Sequence, residues 1–507
     1  MLIDARLKTI SDLLSSQASN HKEQPYLLYQ PTGQEISYQA LDRLTLKTAE
    51  LLLELGMAKG DRVGLMLDNS IEFLLAYLGV LRTGGVIVPV NPTSRPTEIY
   101  NVLSHCKAKT FITDTKHLAD LSDLRSVLPT LDHIILSKDG FFEVPDRTTT
   151  LSSTLEMAAL PTVGLDDPAV ILYTSGTTGQ PKGVVLTQLN LVVNACDISE
   201  ALQLDNARMM CVLPLHHTNG QVINVLAPLV SGGSVVLCGS YSTLNLARFW
   251  ETVSHYQVNV IDVVPTILVL LLKLKSKKQE DISSLSYIIC GAAPLTIELQ
   301  REFEARFGCI VVQEYGLTEA TCVSSINSLS RRKLGSIGLP LAANEMKIVN
   351  PVGTEILPGE IGEIIIRGEN VMQGYYEHPD LTRGVIREGW LHTGDLGLVD
   401  EDGFFYIKGR SKDIIIKGGE NIYPLDVEST LCSHSAVAEC AVVGIPDSIY
   451  GEAVKAYVVT KEGVQVTEDE LITICKDALL PFWCPKVIEF VDYLPKTPSG
   501  KVIKAKL

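Results

Sequence analysis

The sequence predicts an α/β protein: a large N-terminal domain of two βα-type sheets packed together with a β-rich subdomain, then a small α+β C-terminal domain. Three observations predict it. Short β-branched runs alternate with helical patterns in two separate segments. From about Asn344 the rhythm changes to short runs broken by Gly, Pro and Asp-Gly turns. After Arg410 a further composition begins and continues for roughly a hundred residues, the size of a small domain.

In the first segment, residues 62–67, 86–90, 110–113 and 133–136 read as strands, with helices at 71–81 and 99–106. In the second, strands at 209–213, 234–238, 258–264, 287–290 and 310–313 alternate with helices at 222–229, 246–256, from Thr266, and 297–307. Such alternation implies crossover connections and largely parallel sheets covered on both faces. The third segment offers strands at 345–349, 363–367, 397–399 and 404–408, with Asp402-Gly403 as a hairpin signal. The last stretch reads as a hairpin around Gly418-Gly419, then helix, strand, strand, helix, strand. The boundary falls near Lys412, giving domains 1–411 and 412–507.

The 507 residues exceed what one hydrophobic core supports and suggest about two to four domains. With 43 Lys+Arg against 59 Asp+Glu, the net charge is −16, which argues against nucleic acid and anionic lipid as main partners. Nucleotides remain open, because backbone N–H groups and one or two cations can grip them locally. The 11 cysteines form no C-x-x-C, as expected of small core hydrophobes in a reducing compartment. The N-terminus lacks a signal-peptide pattern, and the apolar stretch 258–272 is interrupted by Asp262 and Pro265. The expectation is a cytoplasmic protein with no membrane insertion.

The sharpest motif spans residues 173–183, Tyr-Thr-Ser-Gly-Thr-Thr-Gly-Gln-Pro-Lys-Gly, between two apolar runs at 169–172 and 184–186. Glycines let N–H groups converge, hydroxyls add donors and Lys182 adds charge, so the composition suits an anion. It is not a Walker A loop, because Gly183 stands where Ser or Thr should follow the Lys.

This run resembles the phosphate loop of the adenylate-forming superfamily: acyl-CoA and aryl-CoA synthetases, luciferases and peptide adenylation domains. The resemblance extends along the chain in order. Cys290-Gly-Ala-Ala-Pro294 is similar to the adenine turn, Tyr315-Gly-Leu-Thr-Glu319 to the Y-G-x-T-E motif and His392-Thr-Gly-Asp395 to T-G-D. Gly409-Arg-Ser-Lys-Asp413 is similar to the hinge, Gly418-Gly-Glu-Asn-Ile422 to the thiol-tunnel hairpin and Pro498-Ser-Gly-Lys501 to the C-terminal lysine motif.

The resemblance implies an AMP-forming acid–thiol ligase. A carboxylate attacks the α-phosphorus of MgATP to give acyl-AMP and pyrophosphate, and a phosphopantetheine thiol then displaces AMP. Two anions must meet, so cations and oriented donors carry the catalysis. By resemblance, Thr174, Ser175, Gly176, Thr177, Thr178 and Lys182 hold the β- and γ-phosphates. Thr318 touches the α-phosphate and Glu319 binds Mg²⁺, a hard ion suited to carboxylate oxygen. Gly291, Ala292, Ala293, Tyr315 and Gly316 form the adenine slot. Asp395 takes the ribose hydroxyls with Arg410 behind it. Lys501 bridges the attacking carboxylate and the α-phosphate, a contact whose loss costs on the order of 3–4 kcal/mol of barrier. Lys412 is the pivot of the small domain. Outside these motifs Glu319 and Asp395 would read as solvated carboxylates, and Lys501 as a tail lysine.

The segment 213–220, Leu-Pro-Leu-His-His-Thr-Asn-Gly, is similar to the stretch that leads into the acyl pocket. His217 takes the gating position, and His216 replaces an aromatic. His216, Asn219, Gln221, Val264, Leu317 and Cys322 are the expected pocket residues. The polar groups lean toward a small or polar carboxylate, although Asn219 could instead cap the helix that follows. Asp262 could pair with a substrate amine or be purely structural. Glu314 stands where relatives often carry Gly.

Gly418 and Gly419 suit a narrow tunnel for a pantetheine arm, presented by CoA or by an acyl carrier protein. CoA is the expected acceptor, and loading of an amino or other acid onto a carrier protein is the alternative. A non-catalytic nucleotide-binding relative is disfavoured, because every charged motif position is intact. The large acidic body leaves room for a homodimer. The tail Ala505-Lys-Leu507 resembles a peroxisomal address, which packing beside the lysine motif explains as well.

Overall fold

A computed structural model describes residues 2–119, 121, 124–138, 141–144, 159–175, 181–239, 246–274, 281–461, 463–496 and 502–507. Four sheets organise them. In the first, the order is Gly374–Tyr375, Pro181–Thr187, Pro168–Ser175, Val86–Pro89, Arg62–Leu65, Thr110–Asp114, His133–Lys138, Phe141–Glu143. Its middle strands run parallel, as the alternation predicts. Pro168–Ser175 and Pro181–Thr187 pair antiparallel, with Thr174 opposite Lys182.

The second sheet sets Ile310–Tyr315, Tyr287–Cys290, Val260–Val263, Arg208–Cys211 and Ser234–Leu237 side by side and parallel. Pro25–Tyr29 from the N-terminus joins its far edge parallel to Ser234–Leu237. The sequence signal for that strand and for the helices Ile10–His21 and Tyr38–Glu54 is weak, and they are absent from the prediction.

Between the two sheets lie helices buried on nearly every side. Every residue of Ile71–Arg82 except Glu72 is buried, and Gln188–Leu202 is almost wholly buried. All-round burial hides the 3.6-residue stripe, which is why Gln188–Leu202 carries no amphipathic signature. The Arg82 guanidinium, 1% exposed, survives in this layer by pairing with Asp42 and by donating Nε to Thr45 Oγ1 at 3.0 Å. The predicted helix at 222–229 is a π-helix over Asn219–Leu226 running into an α-helix at Ala227–Ser231.

The third sheet is antiparallel: Asn344–Val349, Gly362–Gly368, Trp390–Val399 and Ile386–Arg387, with Phe405–Arg410 on the other edge of Trp390–Val399. The fourth contains only strands after Ile415, and its core of Ile415, Val427, Leu431, Val454, Leu471 and Ile488 is separate from the others. Its order of hairpin, helix, two strands, helix and strand matches the sequence expectation. The C-terminus is docked on it: Tyr457 donates its hydroxyl to the Leu507 carbonyl at 2.6 Å. Among the described residues no helix is long and apolar enough to cross a membrane.

Candidate functional site

Parallel strands deliver their C-terminal ends to one edge of a sheet, and ligands bind there in open α/β sheets. Tyr287–Cys290 runs into Gly291, Ala292 and Ala293, and the neighbouring Ile310–Tyr315 runs into Gly316, Leu317 and the 3-10 turn Thr318–Ala320. The proposed adenine turn and the Y-G-x-T-E motif are therefore adjacent. Ala292 adopts a left-handed backbone (φ 63°), which lifts the turn away from the strand axis. Gly316 permits a close approach: a Cβ there would overlap the carbonyl of Cys322.

Asp395 is buried, and both its oxygens are engaged. Tyr315 donates its hydroxyl to Oδ2 at 2.8 Å, and Arg410 donates Nε to Oδ1 at 2.7 Å. Asp395 and Arg410 are opposite one another in register on Trp390–Val399 and Phe405–Arg410, so the hairpin itself fixes this pairing. Burial first, and then the Asp395 carboxylate, push the Tyr315 phenol up, so it remains a donor. Glu363 supports the preceding turn by accepting from the Gly394 N–H at 3.0 Å and meeting His392 Nδ1 at 2.8 Å.

Glu319 is half-buried beside Tyr375, whose hydroxyl donates to Oε1 at 2.9 Å. The Lys182 ammonium lies 5.4 Å from the centre of the same ring. Tyr375 thus stands between the lysine and the carboxylate, a role the sequence reading missed. The Gly374-Tyr375 pair joins the edge of Pro181–Thr187, with Tyr375 opposite Val184. A two-residue strand gives no periodicity to read; only the exposed-type Gly-Tyr-Tyr run marked it. Thr174 and Ser175 end the strand before the glycine-rich run, whereas Gly176, Thr177 and Thr178 lie outside the described residues. Glu319 offers the oxygen ligand that Mg²⁺ takes. Among the described residues no group of three or more His, Cys, Asp or Glu could hold a metal ion, so phosphate oxygens and water would complete its shell.

The residues expected to line the acyl pocket lie near the same strand ends. The His216 and His217 rings are 4.4 Å apart, and burial first, then His217, push His216 down to about 3, so it is neutral at working pH. Asn219 does not cap its helix; its Nδ2 donates to Glu314 Oε1 at 3.4 Å. Gln221 is buried and donates Nε2 to the Leu215 carbonyl at 2.9 Å. Val264 precedes the helix Pro265–Lys273, Leu317 precedes Thr318, and Cys322 is buried.

Arg410 ends the last strand before the Ser411–Asp413 turn, which exposes Lys412. Across this junction Lys408 meets Asp426 of the helix Pro424–Cys432 at 2.9 Å. Gly418 and Gly419 form the turn between Ile415–Lys417 and Glu420–Ile422 with φ of 60° and 89°, a conformation that alone favours glycine. Lys501 lies outside the described residues, but its flanks are anchored. Lys496 bridges to Val502 in backbone register and pairs with Glu439 at 2.7 Å, and Lys504 pairs with Glu428 at 2.7 Å.

Known proteins share this plan. The AMP-binding enzyme family matches residues 14–376, and the AMP-binding enzyme C-terminal domain matches residues 426–501. A sulfoacetate–CoA ligase of Cupriavidus necator is 36% identical over 505 residues, covering 98% of this chain and 97% of that one. ATP-bound MatB of Rhodopseudomonas palustris superposes with a TM-score of 0.89 at 29% identity, covering 98% of each chain. The anthranilate CoA ligase AuaEII in complex with anthranoyl-AMP gives a TM-score of 0.89 at 28% identity, covering 99% of this chain and 96% of that one.

Proposed function

Because the chain belongs to the AMP-binding enzyme family, we propose that it is an AMP-forming acid–CoA ligase. ATP and a carboxylic acid give acyl-AMP and pyrophosphate; the CoA thiol then attacks the acyl carbon, forming the thioester and releasing AMP. The arrangement that carries this reading is the clasp of Tyr315 and Arg410 on Asp395, set beside the Lys182–Tyr375–Glu319 line. A carboxylate held by two donors is oriented to accept a vicinal diol such as a ribose.

Each residue has a task in this scheme. Gly291, Ala292, Ala293, Tyr315 and Gly316 hold the adenine, and Asp395, backed by Arg410, holds the ribose. Thr174, Ser175, Gly176, Thr177, Thr178 and Lys182 hold the outer phosphates, and Thr318 the α-phosphate. Glu319 would ligate Mg²⁺, which when bound neutralises phosphate charge. His217 closes over the substrate carboxylate. Lys501 supplies positive charge where the carboxylate meets the α-phosphorus, and the pentacovalent charge it stabilises develops only in the transition state. One face cannot hold both Lys501 and the Gly418-Gly419 turn, so the domain 412–507 turns about Lys412 between the two half-reactions. That rotation breaks the Lys408–Asp426 pair.

CoA is the acceptor this reading favours, since the relatives above include CoA ligases. The test is acid-dependent exchange of labelled pyrophosphate into ATP, followed by AMP release on adding CoA. Exchange without CoA-dependent AMP release points to a carrier-protein thiol. Exchange with no acid overturns the reading.

A further inference from the structure

Near the C-terminal ends of two parallel strands, beside the stretch expected to lead into the acyl pocket, are two buried carboxylates that the mechanism above does not use. Asp262, on Val260–Val263, is fully buried, and Glu314, on Ile310–Tyr315, is 4% exposed. Tyr287–Cys290 runs between their strands. The π-helix Asn219–Leu226 packs over them. Its wider turn puts Asn219 and Asn224, five residues apart, on one face. Asn219 Nδ2 donates to Glu314 Oε1 at 3.4 Å, and Asn224 Nδ2 donates to Asp262 Oδ2 at 2.8 Å and to the Asn219 carbonyl at 3.0 Å.

The remaining capacity of this cell is one-sided. Both hydrogens of the Asn224 amide face acceptors, so its amide orientation is fixed and its Oδ1 is an acceptor. The Gln221 amide donates to the Leu215 carbonyl, which fixes it likewise. Asp262 Oδ1, Asn224 Oδ1 and Gln221 Oε1 are buried acceptors with no hydrogen-bond donor. Buried polar groups cost free energy when left unpaired. Burial first, and then the nearby Glu314 carboxylate, push the Asp262 carboxyl up, while the Asn224 amide opposes this. A ligand ammonium would bring hydrogens to these acceptors, and its charge would hold both carboxyls ionised. They repel a second anionic group.

Resting on the ligase reading, we propose that Asp262, Glu314 and Asn224 form a specificity cell that selects a carboxylic acid bearing an ammonium group at its remote end. The sulfoacetate–CoA ligase relative would then differ from this chain in substrate charge.

The test is a pyrophosphate-exchange series of isosteric acids with the full-length protein: 3-aminopropanoate, 3-hydroxypropanoate, butanoate, malonate and sulfoacetate, plus 3-aminobenzoate against 3-methylbenzoate. Because a site built around hydrogen bonds rejects analogues that cannot make them, kcat/KM should favour an amino acid over its methyl isostere by at least about a hundredfold. In Asp262→Asn and, separately, Glu314→Gln, that ratio should fall by about tenfold or more, the effect of losing a charged hydrogen bond. A thermal melt confirms that each variant is folded. A preference for the methyl, hydroxy or dianionic acids overturns the proposal, as does an unchanged ratio in both folded variants. Exchange with no acid removes the ligase reading and this proposal with it.

Discussion

Tyr375 donates its phenolic hydrogen to Glu319 at 2.9 Å while its ring stands 5.4 Å from the Lys182 ammonium. One aromatic side chain therefore spaces the lysine of Pro181–Thr187 from the carboxylate expected to bind Mg²⁺. Burial first, and then Glu319, push the phenol up, so the hydrogen stays on Tyr375 across the working pH range.

Tyr375→Phe removes the donor without opening a large space. A hydrogen bond to a charged group contributes about 1.5–3 kcal/mol, so kcat/KM for MgATP should fall by roughly ten- to a hundredfold. Titrating ATP at fixed excess Mg²⁺ in the exchange assay measures it. An unchanged value would detach Tyr375 from phosphate positioning.

Asp395→Asn keeps the shape but places an amide before Arg410 Nε and the Tyr315 hydroxyl. The variant should bind ATP and AMP more weakly, by about 1.5–3 kcal/mol, the contribution of a hydrogen bond to a charged group. Tyr315→Phe combined with Asp395→Asn should lose less than the sum of the two, because the residues share one bond. Calorimetric titration with AMP reads both.

The strand–helix alternation was legible because short apolar runs such as 287–290, buried throughout, alternate with turn-bounded helices such as 297–307; both appear with those bounds. Gln188–Leu202 was not, since a helix sandwiched between sheets has no polar face to mark its period. The π-turns at Asn219–Leu226 read as ordinary helix, because sequence spacing does not separate 3.6 from wider turns. Among the candidate site residues, Asp395, Glu319 and Lys182 stand out in the sequence through their motifs. Tyr375 and Asn224 were not, since each acts through a partner distant in sequence. The paired glycines 418 and 419 have a sufficient local cause in the tight turn, whatever passes beside them.

Gly418→Ala tests that turn. Its φ of 60° would be forced on an L-residue, and the new Cβ would stand 3.0 Å from Phe482. The strain should cost about 1–2 kcal/mol, read in thermal unfolding. If the turn also borders the thiol path, KM for CoA should rise in the second half-reaction while pyrophosphate exchange is preserved.

Lys501→Ala should abolish acid-dependent pyrophosphate exchange yet largely spare thioester formation from supplied acyl-AMP. Rapid-quench assays of each half-reaction separate the two. Full exchange in the variant would remove Lys501 from the first step.

The origin of the oxygen in AMP tests the central chemistry most directly. With a carboxylic acid labelled with ¹⁸O in both oxygens, attack on the α-phosphorus followed by thiol attack on the acyl carbon leaves one ¹⁸O in the AMP phosphate. Mass spectrometry of the released AMP should find it there. Label in inorganic phosphate, or AMP without label, would contradict an acyl-adenylate intermediate.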